Sequence, residues 1–307
     1  MRRWWQDLTD LMLPGDCGGC GVPRTVLCAR CRAVLGGSAV RRVRPVPEPP
    51  GLPVVHAAAR YADEVRATLL AHKERGALAL AGPLGVALAE AVGAGLMDAR
   101  APAPAGGALP WGGRAPVLLV PVPSGRRAVR ARGHDPARRI ALAAAGELRR
   151  RGLPARVAGV LRQRRAVADQ SGLSSRQRLD NLAGALAVAP GGARLLSGGA
   201  VVLVDDVMTT GASLAEAARA VRAVSGGRQT AFGVTGPIPN VSWTSAVYAG
   251  ETWESREEQN VGSRQERTGR RPARQVNTGA GDVGGVAEVV CAAVVAATPD
   301  SFEINRN

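Results

Sequence analysis

The sequence predicts an α/β protein with a doubly wound, mostly parallel sheet and a small N-terminal module that carries four cysteines. Two short runs of aliphatic residues, 117–120 and 201–204, have no polar interruption, which is typical of buried strands in a parallel sheet. Each run is followed by a small polar turn and then by an alanine-rich helical pattern, as expected of β–α units. With 307 residues, the chain is long enough for one large domain or two.

The composition favours an anionic partner and disfavours a membrane span. The chain carries 40 basic and 25 acidic residues, a formal net charge of +15 at pH 7, which suits nucleic acid or an anionic substrate. A general enrichment in Arg, Ala, Gly and Val is a compositional explanation for part of this charge. No apolar run approaches the roughly 18 residues of a membrane span, and Asp7 and Asp10 interrupt what would be the core of a signal peptide. We therefore expect a cytoplasmic protein without membrane insertion.

The first element is a cysteine-rich stretch, which we assign to an N-terminal module of residues 1–38. Cys17, Cys20, Cys28 and Cys31 follow the spacing C-x2-C-x7-C-x2-C. Paired C-x2-C turns present four thiolates to one tetrahedral ion, so the spacing predicts a closed, structural zinc site. Two disulfides are the alternative, which a cytoplasmic setting disfavours.

Residues 39–112 are predicted to be a linker followed by a helical hood region. The five prolines of 40–53 indicate the linker. Residues 54–61 have the pattern of a strand, and the pattern of two helices follows, from 64 towards 76 and over 77–97.

Lys73 is the only lysine of the chain and lies near the end of the first of these helices, beside Arg75 and Gly76. It is either a contact for a polyphosphate or an ordinary solvated helix end. The sequence does not separate the two interpretations.

The strand over 117–120 leads into a small, cationic loop. Backbone amides and guanidinium groups of such a loop can hold a pyrophosphate, and the predicted residues are Ser124, Gly125, Arg126 and Arg127. His134 is expected to be a surface or helix-start residue rather than a catalytic base. A helix is predicted over 136–151.

Residues 161–188 are rich in arginine and have few core positions. We interpret them as a mobile lid that closes over a bound polyphosphate and excludes water, with Arg165, Gln170 and Arg178 as its contact residues. A solvated basic loop or hairpin is the alternative.

The aliphatic run over 201–204 leads to two acids and a hydroxylated turn. Asp205 and Asp206 are expected where the strand ends, and a helix is predicted from the turn to about residue 224. The N–H groups of the turn and the N-terminus of the helix favour an anion, and the carboxylates can accept hydrogen bonds from ribose hydroxyls. The pattern therefore predicts a sugar-phosphate pocket formed by Val204, Asp205, Asp206, Thr209, Thr210, Gly211, Ala212 and Ser213. An ordinary strand, turn and capped helix is the alternative.

Residues 201–213 resemble the phosphoribosyl-pyrophosphate (PRPP) motif of type I phosphoribosyltransferases, with both acids, both threonines, Gly211 and Ser213 in register. The resemblance implies a phosphoribosyltransferase-like fold and PRPP as ligand, together with Mg²⁺. It further implies that Asp205 and Asp206 are the catalytic residues of a reaction that displaces pyrophosphate at ribose C1.

The order of motifs along the chain narrows this resemblance. The four-cysteine knuckle, the V-P-V-P loop, the pattern Q-x2-L-x4-R-x2-N over 170–181 and the PRPP motif together resemble the ComF family. These proteins are associated with natural competence and DNA uptake. The resemblance implies either a phosphoribosyltransferase or a non-catalytic sensor of PRPP or a nucleotide, with single-stranded DNA or a DNA-uptake protein as partner and an oligomeric state left open.

The last region, 113–307, is assigned to the phosphoribosyltransferase-like domain. Within it, residues 226–285 lack hydrophobic periodicity and are predicted to be a largely disordered insert. The apolar run over 286–297 is predicted to be the next strand of the sheet, with Cys291 as a buried hydrophobic residue. The closing residues 297–307 resemble a terminal strand and tail.

Overall fold

The computed structural model describes residues 15–99, 115–165, 174–225 and 289–305. All of these residues belong to one compact unit. The predicted insert over 226–285 and the predicted lid residue Gln170 lie outside the described residues.

The described residues contain eight helices and eight strands. The helices are α1 (Ala29–Gly36), α2 (Asp63–Glu74), α3 (Ala81–Asp98), α4 (Arg126–Arg132), α5 (Pro136–Arg150), α6 (Ser175–Leu182), α7 (Gly192–Leu196) and α8 (Ala212–Ser225). The strands are β1 (Arg41–Val43), β2 (Val55–Arg60), β3 (Val117–Pro121), β4 (Ala155–Val157), β5 (Leu161–Gln163), β6 (Leu186–Val188), β7 (Ala200–Met208) and β8 (Val289–Ala297).

Six strands form one mostly parallel sheet in the order β1-β2-β8-β7-β3-β4, in which only β1 and β2 pair antiparallel. Strand β4, which follows β3 in the chain, lies on one side of the β3–β7 pair. Strand β8, which follows β7 in the chain, lies on the other side. The strand order therefore reverses between β3 and β7, and in open α/β sheets the carboxyl ends of such a strand pair form a binding crevice. The predicted α/β class with a mostly parallel sheet is confirmed.

Helices cover both faces of this sheet. Successive residues of β7 point to opposite faces, so that Val202 lies in the core beneath α3 and α5, while Leu203 lies in the core beneath α8. Ile140 of α5 belongs to the first core and Leu214 of α8 to the second. This double coverage explains why the strands are continuously apolar rather than alternating.

The cysteine-rich segment shares the first core. Leu27, Cys31 and Leu35 are buried in the same cluster as Leu69 of α2 and Leu84 of α3. Helix α1 also contacts α2, α3 and β2. The segment is thus anchored to the body of the protein by apolar contacts as well as by its cysteines.

Two predictions about the local structure are wrong. Residues 126–132, expected to be loop, form α4, which ends at Gly133 in the left-handed conformation with a φ of 75°. The predicted terminal strand in 297–307 is a 3-10 helix over Pro299–Asn305. Thr298 N–H still donates to Met208 O, but Pro299 has no N–H with which to continue a ladder.

The most apolar helical stretch runs over Leu78–Asp98 and includes α3. By length and composition it is long and apolar enough to cross a membrane, contrary to the expectation that no run approaches this length. In the fold it is largely a core element, since 56% of its apolar window is buried and α3 contacts α5, β2 and β8.

The crossing of α3 and α5 is close because Gly85 has no side chain. A Cβ at this position would lie 2.4 Å from Ala143 Cβ and 2.8 Å from Ala144 N. We predict that Gly85→Ala lowers the free energy of unfolding by about 1–3 kcal/mol through overpacking. Urea denaturation measures the change.

Gly93→Ala is the matched control, because Gly93 lies in the same helix and a Cβ there meets nothing within 4 Å. It should raise the free energy of unfolding by about 0.5–1 kcal/mol, the usual gain of Ala over Gly in a helix. Equal effects of the two substitutions would contradict the close helix crossing.

Candidate functional site

The carboxyl end of β7 is paired on one side only. Its last partner in β3 is Pro121, opposite Val204, whereas its pairing with β8 continues to Met208 opposite Ala297. Val122 N–H still donates to Val204 O over 2.9 Å, but Pro123 has no N–H to donate. The crevice at the point of strand reversal therefore opens beside Asp205.

The two acids lie inside the strand rather than at its end, which corrects the sequence prediction. The strand runs on to Met208 because β8 continues to pair with it. Asp205 Oδ1 accepts a hydrogen bond from Asp206 N–H over 2.8 Å, and Asp206 Oδ1 accepts one from Val207 N–H over 2.8 Å. Asp205 is half-buried and Asp206 is buried.

Lys73, from the last turn of α2, pairs with the second acid. Its Nζ lies 3.1 Å from Asp206 Oδ2, with 8% of the Asp206 side chain and 35% of the Lys73 side chain exposed. Lys73 is therefore not a free, solvated helix end. In the sequence, Lys73 stood out because it is the only lysine, but nothing there indicated that it pairs with Asp206.

Electrostatics couple these three residues. The negative charge of Asp206 raises the pKa of Lys73, with burial opposing and Asp205 adding to the effect. Burial raises the pKa of Asp205 well above its ordinary value, and the neighbouring charge of Asp206 raises it further, while Lys73 lowers it. The ammonium thus stays protonated and partly offsets the repulsion between two adjacent carboxylates.

The hydroxylated turn follows β7 directly. Gly211 adopts a φ of 73°, and a Cβ there would lie 3.1 Å from Leu52 and 3.2 Å from Pro45. Glycine is therefore required both by the turn and by its packing. Helix α8 begins at Ala212, which leaves Thr209 exposed and the N–H groups of its first turn without intrahelical partners.

The segment predicted to be a lid contains regular structure. Strands β5 and β6 pair antiparallel as a two-stranded sheet, and α6 lies between them in the chain. A capping box of Ser174 and Gln177 begins α6. Within the described residues, this segment is therefore closer to the hairpin alternative, with a helix added.

The predicted lid residues divide into two roles. Arg178 Nη1 donates to Thr209 Oγ1 over 3.3 Å, and its Nε is buried without a hydrogen-bond partner among the described residues. Arg165 instead donates to the carbonyl oxygens of Asn181, over 2.8 Å, and Ala183, over 3.0 Å. Arg178 therefore reaches the turn after β7, whereas Arg165 caps the C-terminus of α6.

The predicted pyrophosphate loop follows β3 and is held by Asp135. Ser124 N–H donates to Asp135 Oδ2 and Arg138 N–H to Asp135 Oδ1, both over 3.2 Å, so one carboxylate joins the loop to the start of α5. Gly125 precedes α4, and Arg126 and Arg127 are its exposed first residues. Because β3 and β7 are parallel neighbours, this loop and the acids lie at the same end of the sheet, where the carboxyl ends of both strands meet.

His134 is buried at the start of α5 rather than at the surface. Its Nε2 lies 3.2 Å from His72 O and its Nδ1 3.2 Å from Arg132 O. The His72 ring is 5.5 Å away, and burial lowers the pKa of His72. His134 thus connects the end of α2 to the segment between α4 and α5.

The four N-terminal cysteines form a cluster close enough to bind one metal ion, because their Sγ atoms all lie within 4.8 Å of one another. All four are free thiols, so the disulfide alternative is not seen. Cys28 N–H donates to Cys17 Sγ over 3.3 Å. Burial alone would raise the pKa of Cys17, but backbone N–H groups of Cys20, Cys28 and Gly19 outweigh it and lower that pKa to about 6.

Cys291 behaves differently from these four residues. It is buried in β8, as predicted, and burial raises the pKa of its thiol to about 12. A neutral thiol in this position acts as a small hydrophobic side chain.

Comparison with known protein families and with curated proteins found no match to this chain.

We predict that Cys31→Ser reduces the metal content from about one ion per chain to near zero, since a closed site needs all four thiolates. It should also lower the melting temperature, because the cluster and the first core share Cys31. Elemental analysis and thermal denaturation measure both. Cys291→Ala is the control and should retain the metal; equal metal loss in both variants would contradict the assignment.

Proposed function

We propose that the crevice between β3 and β7 binds PRPP and that the protein is a phosphoribosyltransferase-like protein of the ComF type. The observation that carries the proposal is the meeting of three features at one end of the sheet. These are an acid pair beside an unpaired strand edge, a hydroxylated turn that starts a helix, and a small cationic loop. The motif resemblances of the sequence support the same function.

Each part of PRPP has a matching group in this arrangement. Asp205 and Asp206 are expected to accept hydrogen bonds from the vicinal ribose hydroxyls. The 5′-phosphate would lie against the turn of 209–213, where N–H groups at the start of α8 and the Arg178 guanidinium favour an anion. The pyrophosphate would lie against the loop of 124–127.

In the catalytic version of this function, a nucleophile displaces pyrophosphate at ribose C1. Positive charge develops on the sugar ring as the bond to pyrophosphate breaks. Carboxylates at fixed positions near that charge stabilise the transition state electrostatically.

The acid pair itself does not fit a magnesium ion, because the Lys73 ammonium already lies against Asp206. Mg²⁺ is the usual companion of polyphosphates, and when bound it would neutralise the pyrophosphate charge. Its place in this site would be with the pyrophosphate of the ligand.

We also infer that the metal of the cysteine cluster is zinc with a structural role. Four thiolates complete a tetrahedral sphere and leave no position for a water. The cluster is anchored in the first core through Cys31 and Leu27.

We predict that Asp205→Asn with Asp206→Asn weakens PRPP binding about 100-fold or more. A hydrogen bond to a charged group contributes about 1.5–3 kcal/mol, and two are lost. Titration calorimetry in the presence of Mg²⁺ measures the change. Asp180→Asn, an exposed acid of α6, is the control; undiminished affinity in the double variant would contradict the site.

A non-catalytic function as a PRPP sensor that binds single-stranded DNA is the second candidate. The observation that favours it is a group of exposed arginines on α4 and the start of α5. No carboxylate of the described residues pairs with any of them: Arg126, Arg127, Arg130, Arg138 and Arg139. Such a surface suits the phosphates of a nucleic acid.

For this candidate, the affinity for an oligo-dT strand should fall with salt, with a slope of about −0.7 per phosphate contact. The triple variant Arg130→Gln, Arg138→Gln, Arg139→Gln should lose up to about two units of that slope. Arg150→Gln, whose guanidinium is paired with Glu147, is the control. Fluorescence anisotropy at several salt concentrations measures the slope, and a flat response would count against DNA binding.

A further inference from the structure

The end of α2 is fixed on both sides of Lys73. His134 Nε2 lies 3.2 Å from the carbonyl oxygen of His72, and Arg132 Nη1 lies 3.4 Å from Glu74 Oε1. Arg132 is the last residue of α4, and His134 lies in the short segment that joins α4 to α5. The Lys73 side chain therefore starts from a positioned backbone and is not an ordinary mobile surface lysine.

The ammonium of Lys73 occupies the place where a divalent cation would be expected. Neighbouring carboxylates at an open crevice are typical ligands of Mg²⁺ or Mn²⁺. Here Asp206 Oδ2 pairs with Nζ at 3.1 Å, and Asp206 Oδ1 accepts from Val207 N–H. A metal ion at the same carboxylates would be repelled by Lys73 and, nearby, by Arg132, whose charge acts on Lys73.

The carboxylates nevertheless retain accepting capacity for a neutral donor. Asp205 is half-buried, and its Oδ1 accepts a hydrogen bond from Asp206 N–H. A hydroxyl can donate to a carboxylate oxygen that also faces an ammonium, because each ionised carboxylate has about four acceptor positions. A sugar diol is therefore compatible with the pair in a way that a second cation is not.

We propose that Lys73 is the built-in counter-cation of Asp205 and Asp206, so that the ribose hydroxyls of a ribosyl 5-phosphate bind there without a divalent metal. This inference rests on the proposed function for the identity of the ligand. It makes Lys73 a positioning residue that favours the ionised form of Asp205 and orients Asp206. It also assigns any metal requirement of PRPP to the pyrophosphate alone.

The first experiment needs no ligand and uses the full chain with its cysteine-bound metal in place. Mn²⁺ binding is measured by electron paramagnetic resonance for the wild-type protein, Asp206→Asn, Lys73→Met and Lys73→Arg. The wild-type protein and Lys73→Arg should show the same weak background as Asp206→Asn. Lys73→Met should gain a site at least about tenfold tighter, which is lost again on adding Asp206→Asn, because the competing positive charge is gone.

Mn²⁺ binding by the wild-type protein tests the proposal even if Lys73→Met fails to fold. A Mn²⁺ site in the wild-type protein that Asp206→Asn abolishes would overturn the proposal. The same holds if a folded Lys73→Met protein binds no more Mn²⁺ than the wild-type protein does.

The second experiment uses ribose 5-phosphate, which has the diol and the monophosphate but no pyrophosphate. Calorimetry compares binding with Mg²⁺ and in buffer freed of divalent ions by a resin, since a soluble chelator would also attack the cysteine-bound metal. The affinity should agree within about twofold, whereas a loss of about tenfold or more without Mg²⁺ would overturn the proposal. If neither ribose 5-phosphate nor PRPP binds under any condition, the proposed function fails, and the Mn²⁺ result still tests Lys73.

Discussion

Two prolines, one at the end of β3 and one shortly after it, limit its pairing with β7, and the candidate site depends on that limit. Pro121 is the last β3 residue in register with β7, and Val122 makes one further hydrogen bond before Pro123. Neither proline can donate to a ladder. On its other side, β7 stays paired with β8 for four more residues, to Met208. The acid pair is therefore held rigidly by one neighbour and left open towards the crevice by the absence of the other.

The charge arrangement in the crevice follows from the same geometry. The two adjacent carboxylates repel each other, and burial disfavours the charged form of Asp205. Lys73 reduces this penalty from a helix that is distant in sequence, and His134 and Arg132 hold the end of that helix. An ion pair in this environment needs additional hydrogen bonds to be favourable, and Asp206 receives one from Val207 N–H. The Lys73–Asp206 ion pair is better understood as part of a binding site than as a source of stability.

Local chemistry was enough to predict much of the fold from the sequence. The continuous aliphatic runs of β3 and β7, the four-cysteine spacing and the helix after Gly211 follow from periodicity and residue type alone. The apolar run before residue 297 was likewise predicted as the neighbouring strand, although residues 226–288 separate it from α8 in the chain. In each case the signal lies within a few consecutive residues.

What the sequence did not predict depends on contacts between distant segments. The extension of β7 past Asp206 is set by β8, and the burial of His134 is set by the end of α2. The pairing of Lys73 with Asp206 joins residues that are far apart in the sequence, and no local pattern encodes it. Arg165 and Arg178 look alike in sequence, yet one caps α6 and the other reaches Thr209.

A crystal structure of the full chain with PRPP and Mg²⁺ is the most direct test of this account. We predict that the ribose hydroxyls lie within hydrogen-bonding distance of Asp205 and Asp206, with Lys73 still paired to Asp206. The 5′-phosphate should lie against residues 209–213 and Arg178, and the pyrophosphate against residues 124–127 with any metal ion. A ligand bound away from the β3–β7 crevice, or a metal ion in place of the Lys73 ammonium, would contradict the account.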